Sequence, residues 1–148
     1  MKQRVLFLCT GNSARSQMAE ALLKVIAGQY FEAESAGTHP VGLNPVTVEA
    51  MQELGVDVRH HRSKHVNECL GQPFDYVITV CDRAKETCPV VPGARNIRNW
   101  SFDDPAAAPM GSRLTAFRRV RDEIANQICR FLSEECRMTS SSFHCYCC

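Results

Sequence analysis

The stretch Arg4-Val5-Leu6-Phe7-Leu8-Cys9-Thr10-Gly11-Asn12-Ser13-Ala14-Arg15-Ser16-Gln17-Met18-Ala19-Glu20 decides the fold. Its four apolar residues, Val5 to Leu8, read as a buried strand that runs straight into Cys9. Beyond the polar loop, Met18, Leu22, Val25 and Ile26 recur at helical spacing, and Gly28 provides a stop. A strand, a loop and a helix in this order turn the backbone N–H groups of residues 10 to 15 inward, with Gly11 letting the chain turn back. The helix adds the positive end of its dipole, and Arg15 adds a planar fork of donors, so the loop is suited to a tetrahedral oxyanion. The same field favours the thiolate form of Cys9. Cys9 is therefore the expected nucleophile, and Thr10, Gly11, Asn12, Ser13, Ala14, Arg15 and Ser16 the expected substrate-binding loop. Spacing alone would not carry this, because about one Cys-x5-Arg match is expected by chance at this Cys and Arg content. The flanking strand and helix separate it from a buried structural cysteine beside a surface arginine.

Outward from this unit, strand and helix signals alternate. Phe31 to Ser35 alternates apolar and polar before Ala36-Gly37, and Asn44-Pro45 opens a helix through Val48, Met51 and Leu54 to Gly55. Tyr76 to Val80 is a nearly continuous apolar run, as in a parallel strand covered on both faces, and it too ends on a cysteine, Cys81. A shorter strand is expected around Ala94 to Ile97. A last helix carries Leu114, Phe117, Val120, Ile124, Ile128 and Phe131 on one stripe. The sum is an α/β chain: a single three-layer domain over residues 1–138, with a four-stranded parallel sheet flanked by helices and its active edge at the strands' carboxyl ends. Residues 139–148, dominated by Ser and Cys, read as a flexible tail.

Composition narrows the function. The 148 residues carry 17 Lys plus Arg against 16 Asp plus Glu, a formal charge of +1, so no global field attracts nucleic acid or an anionic membrane. No apolar stretch approaches the ~20 residues that cross a bilayer, and no signal peptide is evident, so a cytoplasmic location is expected. Nine cysteines in such a chain are not a disulfide framework, because cytosolic thiols stay reduced unless catalytic or redox-sensing. Cys69, Cys129 and Cys136 read as small core or boundary residues.

Cys81 and Cys88 differ. They bracket the polar segment Asp82 to Thr87, and Cys88 is followed by Pro89. They are either stray thiols or a pair that passes oxidation away from Cys9 by thiolate attack, and the second reading is preferred. The loop from Cys9 to Glu20, the pair Cys81 and Cys88-Pro89, and Trp100-Ser101-Phe102-Asp103-Asp104-Pro105-Ala106 together resemble the thioredoxin-coupled arsenate reductases, relatives of the low-molecular-weight protein tyrosine phosphatases. The resemblance runs from about residue 4 to about residue 135. It implies that Cys9 attacks arsenate, that Cys81 resolves the adduct and Cys88 the resulting disulfide, and that thioredoxin reduces the final Cys81 to Cys88 bond, with glutaredoxin or glutathione less favoured. It further implies that the segment around residues 81 to 92 rearranges to expose that bond, and that Asp104 acts as general acid. Without the resemblance, Asp103-Asp104-Pro105 reads as a turn.

No cofactor is expected, and the chain is expected to be a monomer. Some relatives hold potassium beneath the loop, but basic Arg62 and Lys64 stand at two of the corresponding positions. Lys64 is therefore expected to pair with Glu20, with no metal required. His60, His61 and His65 read as part of a polar loop, and Cys145, Cys147 and Cys148 lie beyond the usual end of the family. Two rivals remain: a phosphatase using Cys9, Arg15 and Asp104, and an arsenic- or redox-sensing module without turnover. The three alanines Ala106 to Ala108 after Pro105 disfavour the first, because they give a phenyl ring little to grip.

Overall fold

Residues 2–82 and 94–138 of the chain, with the side chains of 136–138 excepted, are described by a computed structural model. Cys88, residues 83–92 of the segment expected to rearrange and the tail 139–148 with its cysteines lie outside the described residues.

The strand read from Val5 to Leu8 is β1, Gln3–Cys9, and it occupies the middle of the sheet. Its side chains alternate between two apolar layers. Val5, Phe7 and Cys9 join the larger core, while Leu6 and Leu8 join a smaller one with Ala36, Cys69, Phe74 and Val77. This two-sided burial is why β1 reads as a continuous apolar run. Helix α1, Arg15–Ala27, leads to β2, Phe31–Gly37, which pairs with β1 along its whole length. Helix α2, Pro45–Gln52, then precedes β3, Tyr76–Thr79, which pairs with the other edge of β1. Strand β4, Asn96–Asn99, and helix α3, Arg113–Met138, complete the order. All pairings are parallel, and the strands lie in the order β2-β1-β3-β4. The chain thus leaves β1 toward one side and returns on the other, opening a crevice at the carboxyl ends of β1 and β3.

The stripe on α3 is core as expected: Phe117, Val120, Ile124, Ile128 and Phe131 are all buried. Phe131 anchors it, with ring centroids 5.0 Å from Tyr76, 5.7 Å from Phe31 and 5.9 Å from Trp100. Contacts of this kind add ~0.5 to 1.5 kcal/mol each beyond area burial. Helices α1, α2 and α3 share the larger core. Among the described residues, the second face meets one 3₁₀ turn, Val66–Cys69.

Three local expectations shift. Val25, assigned to the core stripe of α1, is 63% exposed, because Met18, Leu22 and Leu23 already fill the inward face. Helix α2 stops at Gln52, so Leu54 is 48% exposed and precedes Gly55 in a left-handed turn at φ +74°. Strand β4 begins two residues later than its apolar signal, since Ile97 is outward and the pairing to β3 recruits Arg98 and Asn99. No helix among the described residues is long and apolar enough to cross a membrane.

Candidate active site

Cys9 ends β1, and the five-residue turn to α1, Thr10 to Ala14, is held from outside by its carbonyl oxygens. His39 N–H donates to Thr10 O at 2.9 Å, Val41 N–H to Gly11 O at 3.1 Å, and Asn44 N–H to Ser13 O at 3.1 Å. Side chains add Ser63 Oγ to Gly11 O, Gln17 Nε2 to Asn12 O, and Thr47 Oγ1 to Ser13 O at 2.7 Å. With the carbonyls of residues 10 to 13 engaged outward, the N–H groups of Gly11 to Ala14, which lie opposite them across each peptide plane, turn inward. Asn12 N–H is 3.2 Å from Cys9 Sγ, in keeping with that direction. Helix α1 has no side-chain N-cap and no acidic residue in its first turn, so the positive end of its dipole is left for the same hollow.

The left-handed residue that reverses the loop is Asn12, at φ +47°, and not Gly11, to which the turn was assigned. Asparagine tolerates this region because its short side chain bonds locally. Here it does so on both ends. Asn12 Oδ1 accepts the Lys64 backbone N–H at 2.9 Å, which fixes the amide orientation. Asn12 Nδ2 must then donate, to Ser16 Oγ at 2.8 Å and Ser35 Oγ at 3.0 Å. Ser16 Oγ, already an acceptor, has its own proton for Cys9 Sγ, 2.9 Å away. Cys9 Sγ thus receives a hydroxyl and a backbone N–H.

Beneath the loop, Glu20 accepts from Ser35 Oγ at 2.8 Å and pairs with Lys24 Nζ at 2.7 Å. Lys64, expected to be that partner, lies 3.9 Å from Glu34. The reason is helical geometry: Lys24 is four residues from Glu20 on the same face of α1. His61, expected on a polar loop, has a side chain only 6% exposed, with Nδ1 3.4 Å from Glu20 Oε2. Burial pushes its imidazole below the ordinary range, and Glu20 offsets part of that. His65 instead accepts the Asn67 N–H at the start of the 3₁₀ turn.

The hollow is a cavity of about 360 Å³ lined by Cys9, Thr10, Gly11, Ser13, Ala14 and Arg15, with Asp104 and Ala106 facing them from the loop after β4. Asn12 and Ser16 lie below it, where they hold the loop and Cys9. Arg15 is buried and donates to Phe102 O at 3.2 Å, which aims its fork across the cavity mouth toward the Asp104 loop. Asp104 combines both roles weighed for it: Oδ1 caps Ala106 N–H at 3.0 Å, as a turn residue would, and the residue lines the cavity. Cys81 follows β3, next to the strand that ends on Cys9, and is buried. It is disulfide-bonded, whereas Cys9, Cys69 and Cys129 are in no disulfide. Burial pushes the Cys69 thiol up, as suits an inert core cysteine. Val41 and Asn44, which complete the wall, carried no sequence signal for that place; Gln17 and Glu20, polar yet buried on α1, did.

A strand-ending cysteine, an inward-facing loop and an arginine on a four-stranded parallel sheet are features of one family, and the chain belongs to it: the model of the low molecular weight phosphotyrosine protein phosphatases matches residues 4–140. The chain is an enzyme of this family, and within it resembles the arsenate reductases. Arsenate reductase 2 of Staphylococcus saprophyticus is 42% identical over 130 residues, which cover 88% of this chain and 96% of the relative. Among solved structures, an arsenate reductase in the phosphate binding state superposes with a TM-score of 0.77 at 26% identity, covering 89% of this chain and 98% of its own. A thioredoxin-dependent arsenate reductase of Corynebacterium glutamicum does so with a TM-score of 0.69 at 29% identity, over 93% of this chain and 63% of its own.

Proposed function

We propose that this chain reduces arsenate to arsenite by a relay of three thiols. The Cys9 thiolate attacks the arsenic of arsenate bound on the loop N–H groups and Arg15. One oxygen leaves as water, with Asp104 supplying a proton, and a Cys9 Sγ–As bond is formed. The Cys81 thiolate then attacks Cys9 Sγ. The S–As bond breaks with its electron pair going to arsenic, which leaves as arsenite, and a Cys9 to Cys81 disulfide remains. Cys88 attacks Cys81, releases the Cys9 thiolate and leaves a Cys81 to Cys88 disulfide, which a thioredoxin dithiol reduces with two electrons. No resident cofactor is required by this sequence.

The observation that carries the reading is the convergence on Cys9 Sγ of Ser16 Oγ and Asn12 N–H at the floor of an anion-shaped cavity. That Cys81 is disulfide-bonded while Cys9 is a thiol supports the reading of Cys81 as a redox-active cysteine. The test is NADPH oxidation coupled through thioredoxin reductase and thioredoxin, run with arsenate and repeated with glutathione and glutaredoxin. Cys9→Ser should abolish turnover. Cys88→Ser should complete one turnover and trap a Cys9 to Cys81 disulfide visible by mass spectrometry. Turnover by Cys9→Ser, or a Cys9 bond to a tail cysteine in both proteins, would refute the relay. Equal turnover of an aryl phosphate without any reductant would favour the phosphatase reading, which the family and the placement of Asp104 keep in view.

A further inference from the structure

We propose that Asn44 is a substrate-binding residue whose amide nitrogen donates a hydrogen bond to the oxygen of the bound oxyanion that faces the cavity mouth. The inference rests on the cavity being the oxyanion site of the reaction proposed above. Two residues on opposite walls of that cavity share one local design, Asn44 before Pro45 at the start of α2 and Asp104 before Pro105 after β4. A residue before proline is held extended, and both are, at φ −70°, ψ 130° and φ −76°, ψ 109°. Both also cap the turn that follows. Asn44 Oδ1 accepts Val46 N–H at 2.9 Å, and Asp104 Oδ1 accepts Ala106 N–H at 3.0 Å. Each side chain thus has one oxygen tied to its own turn and one polar atom left over. Those atoms, Asn44 Nδ2 and Asp104 Oδ2, form no hydrogen bond among the described residues.

The orientation of the Asn44 amide follows from its partner. Val46 N–H can only donate, so the atom that meets it is the oxygen, and the uncommitted end is the NH2 group. The backbone of Asn44 is engaged elsewhere: its N–H donates to Ser13 O at 3.1 Å, and its carbonyl accepts Thr47 N–H at 3.0 Å. Pro45 has no N–H, so what this wall can offer an anion is the side-chain amide. The loop N–H groups and Arg15 serve the oxygens around Cys9, and the oxygen opposite the attacking sulfur is left to the mouth, with an acid on one wall and a neutral donor on the other. Asp104 supplies the proton, and Asn44 holds the oxygen that takes it. A neutral amide suits this place, because a lysine there would pair with Asp104 and keep its carboxyl ionised.

Two variants separate the donor from the cap. Asn44→Ser and Asn44→Asp both keep an oxygen for Val46 N–H, and the aspartate also complements the start of α2, so Tm should hold in the first and hold or rise in the second. Neither keeps the amide donor. Binding of inorganic phosphate to the reduced protein, measured by calorimetry, needs no turnover. Its Kd should rise about tenfold in Asn44→Ser, the lower range for one hydrogen bond to a charged group, and about thirtyfold or more in Asn44→Asp, where like-charge repulsion adds to the loss. In Asn44→Ser, KM for arsenate should rise with the phosphate Kd while kcat stays within about threefold, because the bond is present before and during the attack. Phosphate binding within about twofold of the unaltered protein in both variants overturns the proposal and leaves Asn44 a cap. Should Asn44→Ser lose stability, Asn44→Asp decides alone, and unaltered binding at a maintained Tm overturns the proposal equally. If the unaltered protein binds phosphate and the variants follow this order while arsenate is not turned over, the reaction assignment fails and the role of Asn44 stands. If the unaltered protein binds no phosphate, the oxyanion site and the proposal fall together.

Discussion

Gly37→Ala is the sharpest probe of how the sheet shapes the anion loop. Gly37 is the last residue of β2 and pairs with Cys9. Its φ is ordinary, so the substitution is not a conformational one; its effect is steric. A Cβ placed there would lie 2.4 Å from Thr10 O, 3.0 Å from Asn12 N and 3.1 Å from Asn12 Cβ, where ordinary contact begins near 3.4 Å. The first two are backbone atoms and cannot swing aside, so the Thr10 carbonyl must retreat by about 1 Å. It would pull away from His39 N–H, its partner at 2.9 Å, and tilt the adjoining N–H groups out of the cradle. Overpacking of this sort costs about 1 to 3 kcal/mol, a fall of roughly 2 to 12 °C in Tm for a chain of this size. A displacement of this size in a catalytic constellation costs about a hundredfold in rate, so activity should suffer far more than stability. Thermal unfolding by circular dichroism gives the first quantity, and the thioredoxin-coupled arsenate assay at a temperature where both proteins are folded gives the second. Full kcat/KM in Gly37→Ala, or a loss no larger than the unfolded fraction explains, would refute the claim that this close approach shapes the loop.

Asp104→Asn keeps the cap on Ala106 N–H but not the acidic proton, so kcat should fall about a hundredfold or more with Tm nearly unchanged; equal falls in Tm would make Asp104 a turn residue only. Phe131→Ala removes the ring that joins Phe31, Tyr76 and Trp100 and should cost about 3 to 5 kcal/mol by denaturant unfolding, with the folded fraction retaining activity. Glu53, at the end of α2, bonds Arg118 and Arg121 on α3, and those guanidiniums lower its carboxyl from 4.5 to about 2. A depressed carboxyl adds stability above its unfolded value and loses it as the pH falls, so the Tm gap between the unaltered protein and Glu53→Gln should be full above pH 4.5 and close toward about pH 2. A gap independent of pH would assign the effect of Glu53 to packing.

Much of this site was legible because it is local. Strand, loop and helix are contiguous from Gln3 to Ala27, and the physical demands on each are met by its own residues: apolar on both faces for β1, an uncapped helix start for the anion, an arginine within reach. Asp104 was readable only through resemblance, since its local chemistry, a cap at a proline-led 3₁₀ turn, is complete without any catalytic role. What stayed hidden depends on segments distant in sequence. Val41 and Asn44 enter the wall because their backbone N–H groups hold Gly11 O and Ser13 O. His61 enters because the chain after α2 passes under the loop, and nothing in His60-His61-Arg62 distinguishes the buried ring from its neighbours. The assignment of Glu20 to Lys64 failed for a related reason. It reasoned from which charge was needed, whereas the nearer cation was already present one helical turn away at Lys24. A buried carboxylate on a helix takes its partner from its own face first, because that geometry is set before any long-range contact forms. The clue to the whole network was the polarity of Ser16, Gln17 and Glu20, all buried among Met18, Leu22 and Leu23. Polar side chains survive at such depth only when every one is bonded, so their presence on an otherwise apolar helix face predicts a network beneath the loop even where its distant members cannot be named.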